Sequence, residues 1–287
     1  MTDPVDTQTS ENSLLSLISE GGVYMLADMQ KLFDDNRKKF PDYSRSFKKF
    51  LRRLLELGLT ERHILDEEGY QKRTVFTFGV FDSLECIVRI EKYAYFSHHT
   101  ALFLNNMTQQ IPKTAYVSYE LSETKKRNSV LKQENIDKVF SAQPREARYF
   151  TFNRRPVLLH ASRYTGRLGI KENSNGKYFH TDPERTLIDS VVRPHFSGGI
   201  FNVLNVFLEN RDNYSAVRIA EYLKRLDYKY PYHQAIGFLL EKAGHSEKEL
   251  SLFEEMGTGN RFYLDYEIAD RSFSQRWNLI YPSAFDV

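Results

Sequence analysis

The densest chemistry in the sequence is cationic. Between Asn36 and Arg53 stand Arg37, Lys38, Lys39, Arg45, Lys48, Lys49, Arg52 and Arg53, with Asp42 the sole acid among them. Long cationic side chains at that density suit the neutralisation of a row of phosphates. The formal net charge of the chain is only +2, so the local excess stands out. Gln71, Lys72 and Arg73 form a smaller polar group further on. A longer basic stretch, Leu121–Lys171, contains Lys125, Lys126, Arg127, Arg154 and Arg155 around the aromatic run Arg148–Phe152. It reads either as an ordinary solvated surface or as a second contact surface for DNA or another polyanion.

Catalytic chemistry finds less support. His98 and His99 are adjacent and so point to different faces, and the other six histidines are scattered without a His-x-x-x-His pair. The single cysteine, Cys86, removes a disulfide framework and a cysteine-based zinc site. Gly198-Gly199 and Gly257-x-Gly259 lack the Gly-Lys-Ser/Thr of a phosphate loop. Ser197-Gly198-Gly199 is not followed by the paired aspartates that hold magnesium in nucleotidyltransferases. Asp182 and Glu184 with Lys171 or Lys177 are the best nuclease candidates, and their spacing is not distinctive. The expectation is a protein that is not an enzyme, with no metal and no cofactor.

The elements that must position the basic residues follow from periodicity. Asn12 or Ser13 can cap a helix carrying Leu14, Leu15, Leu17 and Ile18, which Gly21-Gly22 ends. Val23–Met25 reads as a short strand, and a second helix covers about Ala27–Phe33. Pro41 forbids continuation, and Asp42 or Ser44 can cap a third helix over Tyr43–Leu57. In that helix Phe47, Phe50, Leu51, Leu54 and Leu55 form one apolar stripe, while Arg45, Lys48, Lys49 and Arg52 fall on other faces. Two strands follow, Arg62–Leu65 and Thr74–Phe78, around a turn at Asp66–Gly69. Helices followed by a hairpin in this order predict a winged helix-turn-helix. Its DNA-binding residues are expected to be Ser44, Arg45, Ser46, Lys48, Lys49, Arg52 and Arg53 on the helix and Gln71, Lys72 and Arg73 on the wing.

Beyond a linking helix at Asp82–Ile90, Tyr95, Ser97, Thr100, Ala101 and Leu102 precede Gln110-Ile111-Pro112-Lys113 and a strand at Thr114–Tyr119. Thr181–Asp189, Thr-Asp-Pro-Glu-Arg-Thr-Leu-Ile-Asp, is a helix start, with Thr181 as cap and Glu184 as the third helical residue of a capping box. Glu184, Arg185 and Asp189 are placed to form a buried polar network. Gln234–Glu241 is a third segment of note. In these motifs, over about Tyr93–Lys242, the chain resembles the AbiEi family of type IV toxin–antitoxin antitoxins. It departs at Gln234, where that family carries a basic residue.

The resemblance implies an antitoxin that represses its own operon by binding promoter inverted repeats. It would also counter a nucleotidyltransferase toxin without a stable complex, in a system associated with abortive infection and phage defence. The alternative is a stand-alone winged-helix transcriptional regulator with a ligand- or partner-binding C-terminal domain. Either way the expected fold class is α+β: a disordered acidic tail at 1–11, a winged helix-turn-helix at 12–81 and a larger mixed α/β C-terminal domain at 82–287. With 41% apolar and 27% charged residues, a sizeable core is available. No apolar run of eighteen residues occurs, so no membrane association is expected, and one cysteine suits a reducing cytoplasm.

Overall fold

Short amphipathic runs dominate the chain, and none is long enough to hold a helix without tertiary packing. The computed structural model describes residues 12–40, 46–66, 69, 71–123, 130–142 and 147–286. The expected tail at 1–11 lies outside them. The fold is mixed α/β and divides into two compact units, residues 1–92 with 149–157, and residues 93–148 with 158–287. Sequence reading placed the division after residue 81. It falls after Lys92, and a later segment rejoins the first unit because its strand pairs there.

In the first unit, residues 12–15 make a helical turn, and further turns carry the chain to Gly21, whose φ is +71°. The amide of Gly21 donates to the Phe78 carbonyl at 2.9 Å, closing the turn onto the end of a distant strand. β1 (Val23–Met25) leads directly into α1 (Leu26–Asn36). There the Asp28 carboxylate accepts from the Met25 amide at 2.7 Å and satisfies one orphan donor of the first turn. α2 is Phe47–Glu56, and the antiparallel hairpin β2 (Thr60–Asp66) and β3 (Lys72–Thr77) follows. β1 pairs antiparallel with β3, from Val23 opposite Thr77 to Met25 opposite Val75. α3 (Ser83–Val88) is capped by the Asp82 side chain. β6 (Arg148–Phe152) brings Phe150 opposite Asp66 and Thr151 opposite Leu65 on the free side of β2. The core joins Leu14, Met29, Phe33, Phe50, Leu54 and Phe76. Burial of each such side chain contributes about 1.5–3 kcal/mol.

The second unit is larger. Strand order runs β7 (Arg155–Ser162), β5 (Ala115–Glu120), β4 (Tyr95–Phe96), β9 (Phe179–Thr181), β8 (Ile170–Glu172), with β7 entering it at Leu158. Helices α4 (His98–Leu104), α5 (Gln133–Phe140), α6 (Pro183–Val192), α7 (Ile200–Glu209), α8 (Ala216–Leu226), α9 (Tyr232–Lys242) and α10 (Glu247–Glu254) accompany it. A small sheet orders β10 (Phe262–Tyr263), β12 (Leu279–Pro282) and β11 (Arg271–Ser274). Trp277 is fully buried, and only a glycine at 237 admits it: a Cβ there would sit 2.2 Å from its ring. Among the described residues no helix is long and apolar enough to cross a membrane.

α6 corrects one detail. Its cap is Asp182, one residue after the expected Thr181, and the Asp182 carboxylate accepts from the Arg185 amide at 2.8 Å. Pro183 takes the first helical position, where its missing N–H costs nothing. Glu184 is then the second helical residue and reaches across to accept from the Ser215 amide at 3.0 Å.

Candidate nucleic-acid interface

α2 is built by its apolar stripe. Phe50 and Leu54 are buried, with Phe47, Leu51 and Leu55 packed beside them, which fixes the helix by one face. Phe33 of α1 meets Phe50 at a ring separation of 5.5 Å and so braces one helix against the other. The cap is Ser46, whose hydroxyl accepts from the Lys49 amide at 3.3 Å. Ser46 therefore serves the helix end first. Ser44 and Arg45 lie outside the described residues.

With Phe50 and Leu54 turned inward, Lys48, Lys49 and Arg52 stand exposed. At 3.6 residues per turn the three fall within an arc of about 100°. Among the described residues none of them forms an ion pair, so their charge is available to a ligand. Arg53 is different. It is half-buried and bonds Glu56 at 2.7 Å, one helical turn on.

The hairpin places the second group. Register pairs Leu65 with Lys72 and Ile64 with Arg73. Gln71, Lys72 and Arg73 are exposed, and the Gln71 carbonyl accepts from the Asp66 amide at 3.0 Å to close the turn. Arg73 lies 3.7 Å from Glu91, which tempers its charge. Arg62, on the neighbouring strand, covers the Phe81 ring at 4.2 Å.

Of the second basic group, Lys125, Lys126 and Arg127 lie outside the described residues. Arg154 and Arg155 belong to the first unit, where Asn153 and Arg154 form the tight turn from β6 to β7. Both have positive φ, 49° and 67°, the geometry of a two-residue hairpin whose twist matches its strands. Arg154 is exposed at that tip. Arg155 is half-buried, and desolvation lowers its pKa.

The carboxylates of the candidate nuclease set are engaged elsewhere. Asp182 caps α6 and accepts from the Tyr222 hydroxyl at 2.7 Å and from Arg218 at 3.2 Å. Glu184 holds the start of α8 and lies 3.8 Å from Arg218. Of the network expected from Glu184, Arg185 and Asp189, the last two pair at 2.9 Å, both buried, while Glu184 turns to Ser215 and Arg218 instead. Gln234 is fully buried and donates to the Asn260 carbonyl at 3.0 Å. Among the described residues no three His, Cys, Asp or Glu side chains are grouped to hold a metal ion.

Sequence reading missed a polar cavity in the second unit, lined in part by His98, His160, Arg185 and Arg193. These residues come from α4, β7, α6 and the end of α6, and no spacing rule links them.

No protein-family model matches the chain, and no curated protein matches it in sequence. Among solved structures the chain is similar to the RV2827C protein of Mycobacterium tuberculosis, with a TM-score of 0.59, covering 98% of this chain and 92% of that one at 10% sequence identity. Likeness at that identity concerns the fold.

Proposed function

We propose that this chain is a DNA-binding antitoxin of a type IV, AbiE-like system that represses its own operon and counters a nucleotidyltransferase toxin. Supporting the DNA half is the element order of the first unit: helical turn, β1, α1, α2, then the hairpin β2–β3 with β1 paired to β3. That order is the order of a winged helix-turn-helix. α2 takes the part of the recognition helix and the hairpin that of the wing. One observation carries the reading. α2 locks Phe50 and Leu54 into a core while Lys48, Lys49 and Arg52 project together into solvent, as a helix entering a phosphate-walled groove requires. The antitoxin half rests on the motif resemblance at Tyr95–Lys113 and Thr181–Asp189.

The test is co-expression of the full chain with the neighbouring gene. Growth rescue from a nucleotidyltransferase encoded there supports the antitoxin. A chain with Lys48, Lys49 and Arg52 replaced by alanine should keep rescue and lose promoter repression. Loss of both functions together, with the fold retained, would refute the division of labour. A stand-alone regulator is the second reading, and the polar cavity of the second unit favours it. It is distinguished by the absence of a toxin gene beside this one.

A further inference from the structure

Between β7 and α6 the second unit holds a cavity of about 190 Å³ whose wall is cationic. Arg163, Arg185 and Arg193 line it, and Asp189 is the single carboxylate on that lining. Asp189 is already committed to Arg185 Nε at 2.9 Å. Arg185 spends Nη1 on the Leu168 carbonyl at 2.7 Å and on the Thr165 hydroxyl at 3.4 Å. Its Nη2 has no hydrogen-bond partner among the described residues. Arg193 forms no ion pair among them either, and covers the Phe196 ring at 5.7 Å. Arg163 stacks on Tyr228 at 4.8 Å and donates to the Asp227 carbonyl, again without a carboxylate partner among the described residues.

Neutral polar residues share the wall. Among them His160 and Tyr228 have no side-chain hydrogen-bond partner among the described residues. Burial and the nearby Arg193 push His160 down to about 3, so its ring is neutral and offers one N–H and one lone pair. His98, on the same wall, is buried with φ at +49°.

Two uncompensated guanidinium groups beside a third whose Nη2 is unused exceed what the fold needs for its own pairing. Guanidinium forks match the geometry of phosphoryl oxygens. We propose that this cavity binds a phosphoryl dianion, either inorganic phosphate or the phosphate of a small phosphomonoester. The exposed Ala161 and Arg163 mark its mouth. The inference holds under either reading of the first unit and does not depend on DNA binding.

The test is calorimetric titration of the full chain with inorganic phosphate and with ribose 5-phosphate, using chloride at matched ionic strength as the blank. Saturable binding of one phosphoryl group per chain is expected. Arg193→Met and Arg163→Met should each weaken it at least about tenfold, with melting temperature and Trp277 emission unchanged. Should R193M fail to fold, the exposed Arg163 still supplies the comparison. Binding of the ester alone supports the proposal and assigns the monoester. Two outcomes overturn it: no saturable binding of either probe up to about 10 mM, or wild-type affinity in the folded variants. The second would leave Arg193 as a charge complementing the end of α6.

Discussion

Replacing Lys48, Lys49 and Arg52 by alanine together tests the DNA-binding reading at its physical root. All three are exposed on one arc of α2, and alanine favours helix at least as well as lysine or arginine, so the fold should stand. If each contacts one phosphate, each releases about 0.9 of a counterion equivalent, and the salt slope of log affinity falls by about 2.7. At about 0.1 M salt, relative to about 1 M, three such contacts amount to roughly 500-fold in affinity, or about 3.7 kcal/mol. Between about 50 and about 200 mM salt, the wild type should weaken roughly 40-fold more than the variant. Fluorescence anisotropy of a labelled promoter duplex, titrated at four salt concentrations, reads both quantities. Arg53→Ala is the internal control. Its guanidinium is held by Glu56 at 2.7 Å, so it should change the slope by much less. A triple variant with native circular dichroism, wild-type slope and wild-type affinity would refute the assignment of α2.

Three further outcomes are expected. Gly237→Ala places a Cβ 2.2 Å from the buried Trp277 ring. It should destabilise the second unit by at least about 1–3 kcal/mol, read as an earlier red shift of the single tryptophan in a urea titration. Cys86 is fully buried and burial raises its thiol pKa to about 12, so a thiol reagent should leave it untouched at pH 8 until the chain unfolds. His180 is buried and lowered to about 4, mainly by desolvation and by Lys171. Since its folded pKa lies below the unfolded value near 6.5, its contribution is fully present above that value. It is lost as pH falls from 6.5 towards 4, by at most about 1.4 kcal/mol per pH unit. Urea midpoints measured at pH 7, 6 and 5 should decline, and His180→Asn should flatten the decline.

What could be read from sequence was local. The α2 stripe needs only the spacing of Phe47, Phe50, Leu51, Leu54 and Leu55, and its burial follows. The hairpin was legible from alternation, though both strands begin two residues earlier than alternation alone places them. The cap of α6 shifted by one residue because Thr181 and Asp182 are both competent caps, and only the hydrogen bond to Arg185 distinguishes them. The return of residues 149–157 to the first unit was not legible. β6 pairs with β2 across more than eighty residues, and nothing in Arg148–Phe152 names its partner. The cavity was hidden for the same reason. In the sequence His98 belongs to an adjacent pair and His160 to the scattered histidines, yet their rings lie 6.2 Å apart.

The charges on α2 and those on α6 are kept by opposite means. On α2 and β3 the cations stand in solvent, where staying ionised costs little and a polyanion can reach them. On α6 the charges of Asp182, Glu184, Arg185 and Asp189 are buried, where each is costly unless paired and hydrogen-bonded. Asp182, Glu184 and Asp189 all meet that condition through Arg185, Arg218, Tyr222 and the Ser215 amide. Apolar residues of similar volume often serve stability as well as a buried ion pair does, so holding the domain together does not by itself account for the pair. What the Arg185–Asp189 pair adds is direction. Asp189 pins Arg185 by Nε and the Leu168 carbonyl pins it by Nη1, which leaves Nη2 for the cavity whose lining also carries Arg163 and Arg193. A cation fixed in that way is pre-organised for an anion, since little side-chain entropy remains to be lost on binding.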